Sequence, residues 1–318
     1  MNENLAEQLY LIKNDEYHPY MLDYIYEFQD AFLEIFPTAR IMPGRFISTK
    51  RQFLRLFRYA YGRLPMGLRF SCHLSLRNEA SFAVVCGGDF AYCLPSAIFS
   101  NRNYLYMFDH WPHANEILID WVRLFSINKI FFSALQSAEL FNQSLGEERG
   151  IWVPEGIYPK RYELFSYHQK SIDVVEMGRR NEDYHGKIAP ALNQCSYNHF
   201  FGRTPVNPLP KSKISICFPS AVTHPERSGY ISTMTLRYLQ SMISKCLIVG
   251  EAPYDMKYLF DYYPVVEADT DNPGDQLVYI LRNFGDYIPL IEKNYQTVME
   301  KHLWSNRMEI IRPYLQPR

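Results

Sequence analysis

His224–Pro253 reads HPERSGYISTMTLRYLQSMISKCLIVGEAP. A polar loop with one glycine runs into a stretch whose apolar residues recur at helical spacing, and Cys246–Gly250 follows as a buried strand. Loop, helix, strand is the order in which α/β proteins build phosphate sites. The unpaired N–H groups and the dipole at a helix N-terminus attract anions there. The segment therefore points to an α/β fold, and it asks whether a phosphate is held and whose.

The same alternation extends on both sides. Strands are expected at Ile172–Met177, Lys213–Phe218, Cys246–Val249 and Val265–Glu267, with helices at Asn181–Leu192, Thr233–Ser244 and Gly274–Phe284. Asn193–Lys211 is polar with three prolines and reads as a loop. Upstream, residues 15–36 have the spacing of an amphipathic helix. Leu68–Ser75, Ser81–Cys86, Tyr104–Phe108 and Lys129–Ser133 read as strands, and Ala114–Phe125 as a helix between the last two. Strand, helix, strand at this spacing argues for parallel sheets covered by helices. The chain has 318 residues, more than one core usually organises. Trp152–Tyr162, with two prolines and a glycine, reads as a linker, so the expected boundary lies near Tyr158 to Phe165. This gives two Rossmann-like domains, residues 1–160 and 161–318.

Composition narrows the function. Hydrophobic residues make up 47%, charged residues 21%, and the net charge is −1, a soluble globular balance with no bias toward nucleic acid. Aromatics reach 16%, which fits a bulky core or stacking surfaces. The six cysteines are scattered without a CxxC, which suggests a reducing, cytoplasmic compartment and no zinc site. His110 and His113 are the one close histidine pair, with no further ligands near in sequence. The N-terminal residues lack the pattern of a signal peptide, and no apolar run approaches the ~20 residues of a membrane span. Between Ile35 and Asn78 there are nine Lys or Arg and no acidic residue. Arg51, Arg55 and Arg58 fall on one helical face there. That face either meets anionic lipid from the side or is simply solvated.

Within the opening segment, Ser228 and Gly229 allow a tight turn and close approach by an anion. Ser232 or Thr233 would cap the following helix. Arg237, one turn in, would reach a phosphate or pair with a carboxylate. In the other candidate phosphate stretch, Gly178 ends the strand Ile172–Met177, and Arg179 and Arg180 follow at once. Two guanidinium groups at a strand's carboxyl end suit a diphosphate, although Glu182 and Asp183 offer them surface partners.

These pieces together resemble the donor-binding domain of GT-B glycosyltransferases of the group-1-like family. The residues that carry the resemblance are Gly178-Arg179, the loop Ser228-Gly229-Tyr230-Ile231-Ser232-Thr233, and Thr235–Met242 followed by Cys246–Val249. His302–Arg307 resembles the closing helix, which in this fold crosses back to the first domain. The resemblance implies two Rossmann-like domains, with a nucleotide-sugar donor bound by the second and an acceptor mainly by the first. Arg179, Ser228, Gly229, Tyr230, Ser232, Thr233, Arg237 and Gln240 would be the donor residues. It implies no cofactor and no essential metal, since helix-end amides and basic side chains would neutralise the diphosphate; Asp269-x-Asp271 reads as a surface loop. Many retaining members carry a pair of glutamates where this chain has Ser232 and Gln240, so the ribose contact and the stereochemistry are left open.

An inverting transferase needs a base within reach of the acceptor hydroxyl. Asp109 and His110, which end the strand Tyr104–Phe108, are the candidates; otherwise they are a capping Asp and a structural His. Glu155 in the linker is a third candidate. The expected activity is transfer of a sugar from a nucleoside diphosphate to an unknown glycan, lipid-linked or protein acceptor. The alternatives are a non-catalytic nucleotide-sugar-binding protein and a membrane-surface protein using the basic helix.

Overall fold

The computed structural model describes residues 8–14, 23–44, 56, 59–65, 74, 76–86, 94–125, 127–178, 180–202 and 207–316. The chain forms two compact units, Met1–Pro154 with Arg307–Arg318, and Glu155–Asn306. The division lies at 154/155 rather than at 160/161, and the chain's last segment returns to the first unit.

The first unit is built on a parallel sheet of six strands: β1 Gln8–Asn14, β2 Arg40–Gly44, β3 Arg77–Cys86, β4 Ser100–Phe108, β5 Lys129–Phe132 and β6 Gly150–Trp152, in the order β2-β1-β3-β4-β5-β6. The central strands β3 and β4 are buried along most of their length, as a sheet covered on both faces requires. Their alternation divides the core. Phe82 and Tyr106 meet Phe28 of the helix Asp23–Ile35 at ring distances of 5.7 and 4.8 Å. Val85, Met107 and Phe132 join a second cluster with Leu118 and Val122 of the helix Asn115–Phe125 and Phe141 of Leu135–Leu145. Much of the aromatic content of this unit is therefore core.

The second unit carries five parallel strands: β7 Ile172–Met177, β8 His199–Gly202, β9 Ser212–Cys217, β10 Leu247–Gly250 and β11 Val266–Glu267, in the order β11-β10-β9-β7-β8. The chain goes from β7 outward to β8 and then returns to place β9 on β7's other side. This reversal is a topological switch point, and it opens a crevice at the carboxyl ends of β7 and β9. Helices Glu182–Gln194 and Pro273–Arg282 supply Tyr184, Ile188, Leu277 and Ile280 to a core that includes Val174, Ile214 and Val249.

Several elements depart from the sequence reading. Strands β1, β2 and β6 and the helix Leu135–Leu145 were not expected. Strand β8 lies inside Asn193–Lys211, read as loop: it is a four-residue edge strand, none of it fully buried, so it lacks a clear apolar signal. The helix expected from Thr233 starts at Leu236. Residues 15–22, nearly all of Leu68–Ser75, and the basic positions Arg51, Arg55 and Arg58 lie outside the described residues.

The helix Trp304–Leu315 crosses back, as the resemblance implies. From Arg307 onward it belongs to the first unit. Arg307 Nε donates to the Pro154 carbonyl at 3.1 Å, Tyr104 Oη to that of Tyr314 at 2.7 Å, and Arg102 Nη1 to that of Gln316 at 2.7 Å.

Candidate functional site

At the switch point β7 runs out at Gly178, whose φ is +81°. A side chain there would be strained by the backbone alone. It would also collide, because a Cβ would lie 2.5 Å from Nη2 of Arg237. Glycine is thus required twice, and the second reason shows that the Arg237 guanidinium stands against the end of β7. Arg237 sits in the first turn of the helix Leu236–Ile243, whose N-cap, Thr235, makes no side-chain capping bond. The helix N-terminus and its arginine face the same strand end, where an anion would gain from both.

The loop before this helix is held from below. Asp255, fully buried, accepts from Thr233 Oγ1 at 2.7 Å and from the Met234 amide at 2.8 Å. Ser232 Oγ accepts from the Tyr254 amide at 3.2 Å. Neither Ser232 nor Thr233 caps the helix: these hydrogen bonds keep the chain out of helical conformation until Leu236. Burial pushes the Asp255 carboxyl up to about 6, against the pull of its hydrogen bonds. Ser228 is buried and donates to the His224 carbonyl at 2.9 Å. Gly229 turns the chain at φ +57°, and Tyr230 is left exposed. Gln240 is buried, and its Nε2 donates to Tyr162 Oη at 2.9 Å, so its amide already has a partner within the second unit.

A cavity of about 740 Å³ lies over these strand ends, bordered by Gly178, Arg180 and Asn181 after β7, Phe201 and Gly202 at the end of β8, and Thr223 after β9. Arg180 pairs with Glu182 at 3.0 Å and lies over the Phe201 ring at 5.2 Å. Arg179 falls outside the described residues. Asp269 Oδ1 accepts from the amides of Asp271 and Asn272, both at 2.9 Å; this is an exposed turn closed by its own side chain.

In the first unit the structure separates two neighbours. Asp109 follows β4 with φ +51°, a left-handed conformation that few residue types other than Asp, Asn and Gly tolerate. It is half-buried, and Cys86 Sγ at the end of β3 lies 4.0 Å from Oδ2. His110 is buried in the core: Nε2 is 3.2 Å from Asn115 Oδ1, the ring lies 5.2 Å from that of Phe132, and its carbonyl accepts from Ser137 Oγ. Burial lowers the imidazole to about 4, so it is neutral at physiological pH. His113 is exposed, so the two histidines face different surroundings. Glu155 is buried as the first residue of the second unit.

No family model and no curated protein matches the chain. Solved structures do. HepE of Anabaena, in complex with UDP and glucose, superposes with a TM-score of 0.58 at 8% identity, over 97% of this chain and 99% of that one. A sucrose-phosphate synthase from Thermosynechococcus elongatus gives 0.62 at 8% identity, over 97% and 98%. The chain has the GT-B fold. TarM also shares it, with a TM-score of 0.55 at 10% identity over 74% of this chain; the match spans 54% of TarM's length. The GT-B fold accounts for both parallel sheets and for the last helix that belongs to two units. Among the described residues no helix is long and apolar enough to cross a membrane.

Sequence reasoning singled out Gly178 and Arg237, which the structure places side by side, and gave no sign of Asp255 or Tyr162. Nothing in EAPYDMKY marks its aspartate as buried, and nothing in RYELF marks its tyrosine as a partner for Gln240. Both roles arise from packing between segments distant in sequence.

Proposed function

We propose that this chain is a glycosyltransferase that takes a sugar from a nucleoside diphosphate donor bound in the second unit. The observation that carries this reading is the Arg237 guanidinium standing against Gly178 at the switch point, beside an uncapped helix N-terminus and a cavity of about 740 Å³. HepE was solved with UDP and with UDP-glucose, which makes UDP the first nucleotide to test. In this reading Arg237 and the amides of the first turn from Leu236 neutralise the diphosphate as it leaves. Arg179 adds a second guanidinium, and Asp255 fixes the approach of the loop 228–235. Asp109 takes the proton of the acceptor hydroxyl, and His110 holds the chain behind it through the Asn115 and Ser137 contacts. The diphosphate needs no divalent ion, so magnesium and manganese leave donor affinity unchanged.

Calorimetry with UDP, GDP, CDP and ADP on wild type and Arg237→Ala tests this. A charge-assisted contact should be worth about 1.5–3 kcal/mol, and the unphosphorylated nucleoside should bind equally to both proteins. Equal weakening of nucleotide and nucleoside would sink the assignment. A non-catalytic donor-binding protein is the second reading, favoured by the burial of His110 and the tie between Gln240 and Tyr162. Donor binding with neither hydrolysis nor transfer across a panel of acceptors would select it.

A further inference from the structure

Three side chains meet beneath the rim of the cavity, from three different elements. Glu176 lies on β7, His185 in the first turn of the helix Glu182–Gln194, and His199 opens β8, which pairs with β7 in parallel. The Glu176 side chain is 3% exposed, His199 8% and His185 16%. One carboxylate oxygen, Oε1, receives both imidazoles: His185 Nδ1 at 2.5 Å and His199 Nε2 at 2.8 Å. All three ligand atoms lie within 4.8 Å of one another.

We propose that Glu176, His185 and His199 form a site for a divalent transition ion, Zn²⁺ foremost, separate from the diphosphate. Two imidazole nitrogens and a carboxylate oxygen are a donor set zinc accepts, with the fourth position left to water or a ligand. Imidazole favours zinc and its neighbours over Mg²⁺, which prefers oxygen ligands and keeps its waters. Ligand atoms around a tetrahedral ion stand about 3.3 Å apart. Both imidazoles therefore retreat from Oε1 by less than an ångström when the ion enters.

The protons can be followed. Arg180 Nη1 lies 3.4 Å from His185 Nε2. A guanidinium has only protons to give, so Nε2 accepts and Nδ1 carries the ring proton toward Glu176. A metal at Nδ1 requires the other neutral tautomer, with the ring proton on Nε2, where it opposes Arg180. The proton of His199 likewise moves from Nε2 to Nδ1, so both rings stay neutral. Because Arg180 also borders the cavity and lies over Phe201, the ion and the cavity's occupant are linked through one side chain.

The test uses the full chain, stripped with a chelator and titrated with ZnCl₂, CoCl₂ and MgCl₂. One Zn²⁺ per chain should bind, weakened at least about tenfold in both Glu176→Gln and His199→Ala; MgCl₂ should give no stoichiometric binding. The Co²⁺ form should show the visible bands of a tetrahedral nitrogen and oxygen site, without the charge transfer of a cysteine thiolate. Should either variant fail to fold, the wild-type Co²⁺ spectrum decides. Absence of stoichiometric Zn²⁺, a thiolate spectrum, or equal affinity in wild type and both folded variants would overturn the proposal.

Discussion

Strands β7 and β4 are central strands of parallel sheets, and each delivers a chemically suggestive sequence at its carboxyl end. At β7 the strand stops in a glycine, a guanidinium leans over it, and the space beyond is open. At β4 the strand stops in an aspartate with left-handed backbone, and the next side chain, His110, folds back into the core. The difference teaches that a strand end becomes a binding site where the chain withdraws its own side chains. Where it inserts one, the same position becomes packing, and only the residue left outside remains available for chemistry.

The comparison breaks first at Asp109. Asp109→Asn should slow sugar transfer by about 10²–10⁴-fold while donor affinity barely changes, because the proposed donor contacts lie in the other unit. Full activity in this variant would leave Glu155 or no protein base as the account.

Next come two titrations of opposite sign, one in each unit. His110 is held neutral, so its folded value lies below its unfolded one. Relative to His110→Asn, wild type should keep its advantage above about pH 6.5 and lose it as pH falls toward about 4. Burial raises the Asp255 carboxyl, so its folded value lies above its unfolded one. Its advantage over Asp255→Asn should be full below about pH 4 and shrink as pH rises through about 6. Each change should amount to about 3 kcal/mol in urea unfolding followed across pH. Slopes of equal sign would show that one of the two groups is not buried as described.

Smaller effects sharpen the picture of β7. Gly178→Ala should cost about 1–2 kcal/mol in stability from backbone strain and should weaken nucleotide binding by displacing Arg237. Unchanged nucleotide affinity in a folded variant would detach Arg237 from the donor. Gln240→Ala should cost only about 1 kcal/mol, the net value of its bond to Tyr162; a larger loss confined to donor affinity would return Gln240 to the ribose.

The core strands were legible because both faces are buried: FAVVC and YLYMF carry unbroken apolar runs. Gly178 and Arg237 could be singled out because a glycine closes one strand and a cation opens the helix after another, the positions where a phosphate would be sought. Strands β6 and β8 were not, because three or four residues at a sheet edge carry little pattern. The burial of His110 was hidden as well, since its enclosure depends on Asn115, Phe132 and Ser137. Glu176, His185 and His199 escaped for the same reason: parallel pairing of β7 with β8 makes neighbours of residues that no short spacing connects.

The return of Arg307–Gln316 to the first unit bears on the order in which the protein comes into being. Tyr104, Arg102 and Phe131 contact a segment that is synthesised after the entire second unit. The unit whose strands emerge first from the ribosome is therefore the last to be completed, and closing it requires contacts of very long sequence separation. Until those residues emerge, Arg102, Tyr104 and Phe131 lack the partners they have in the completed unit.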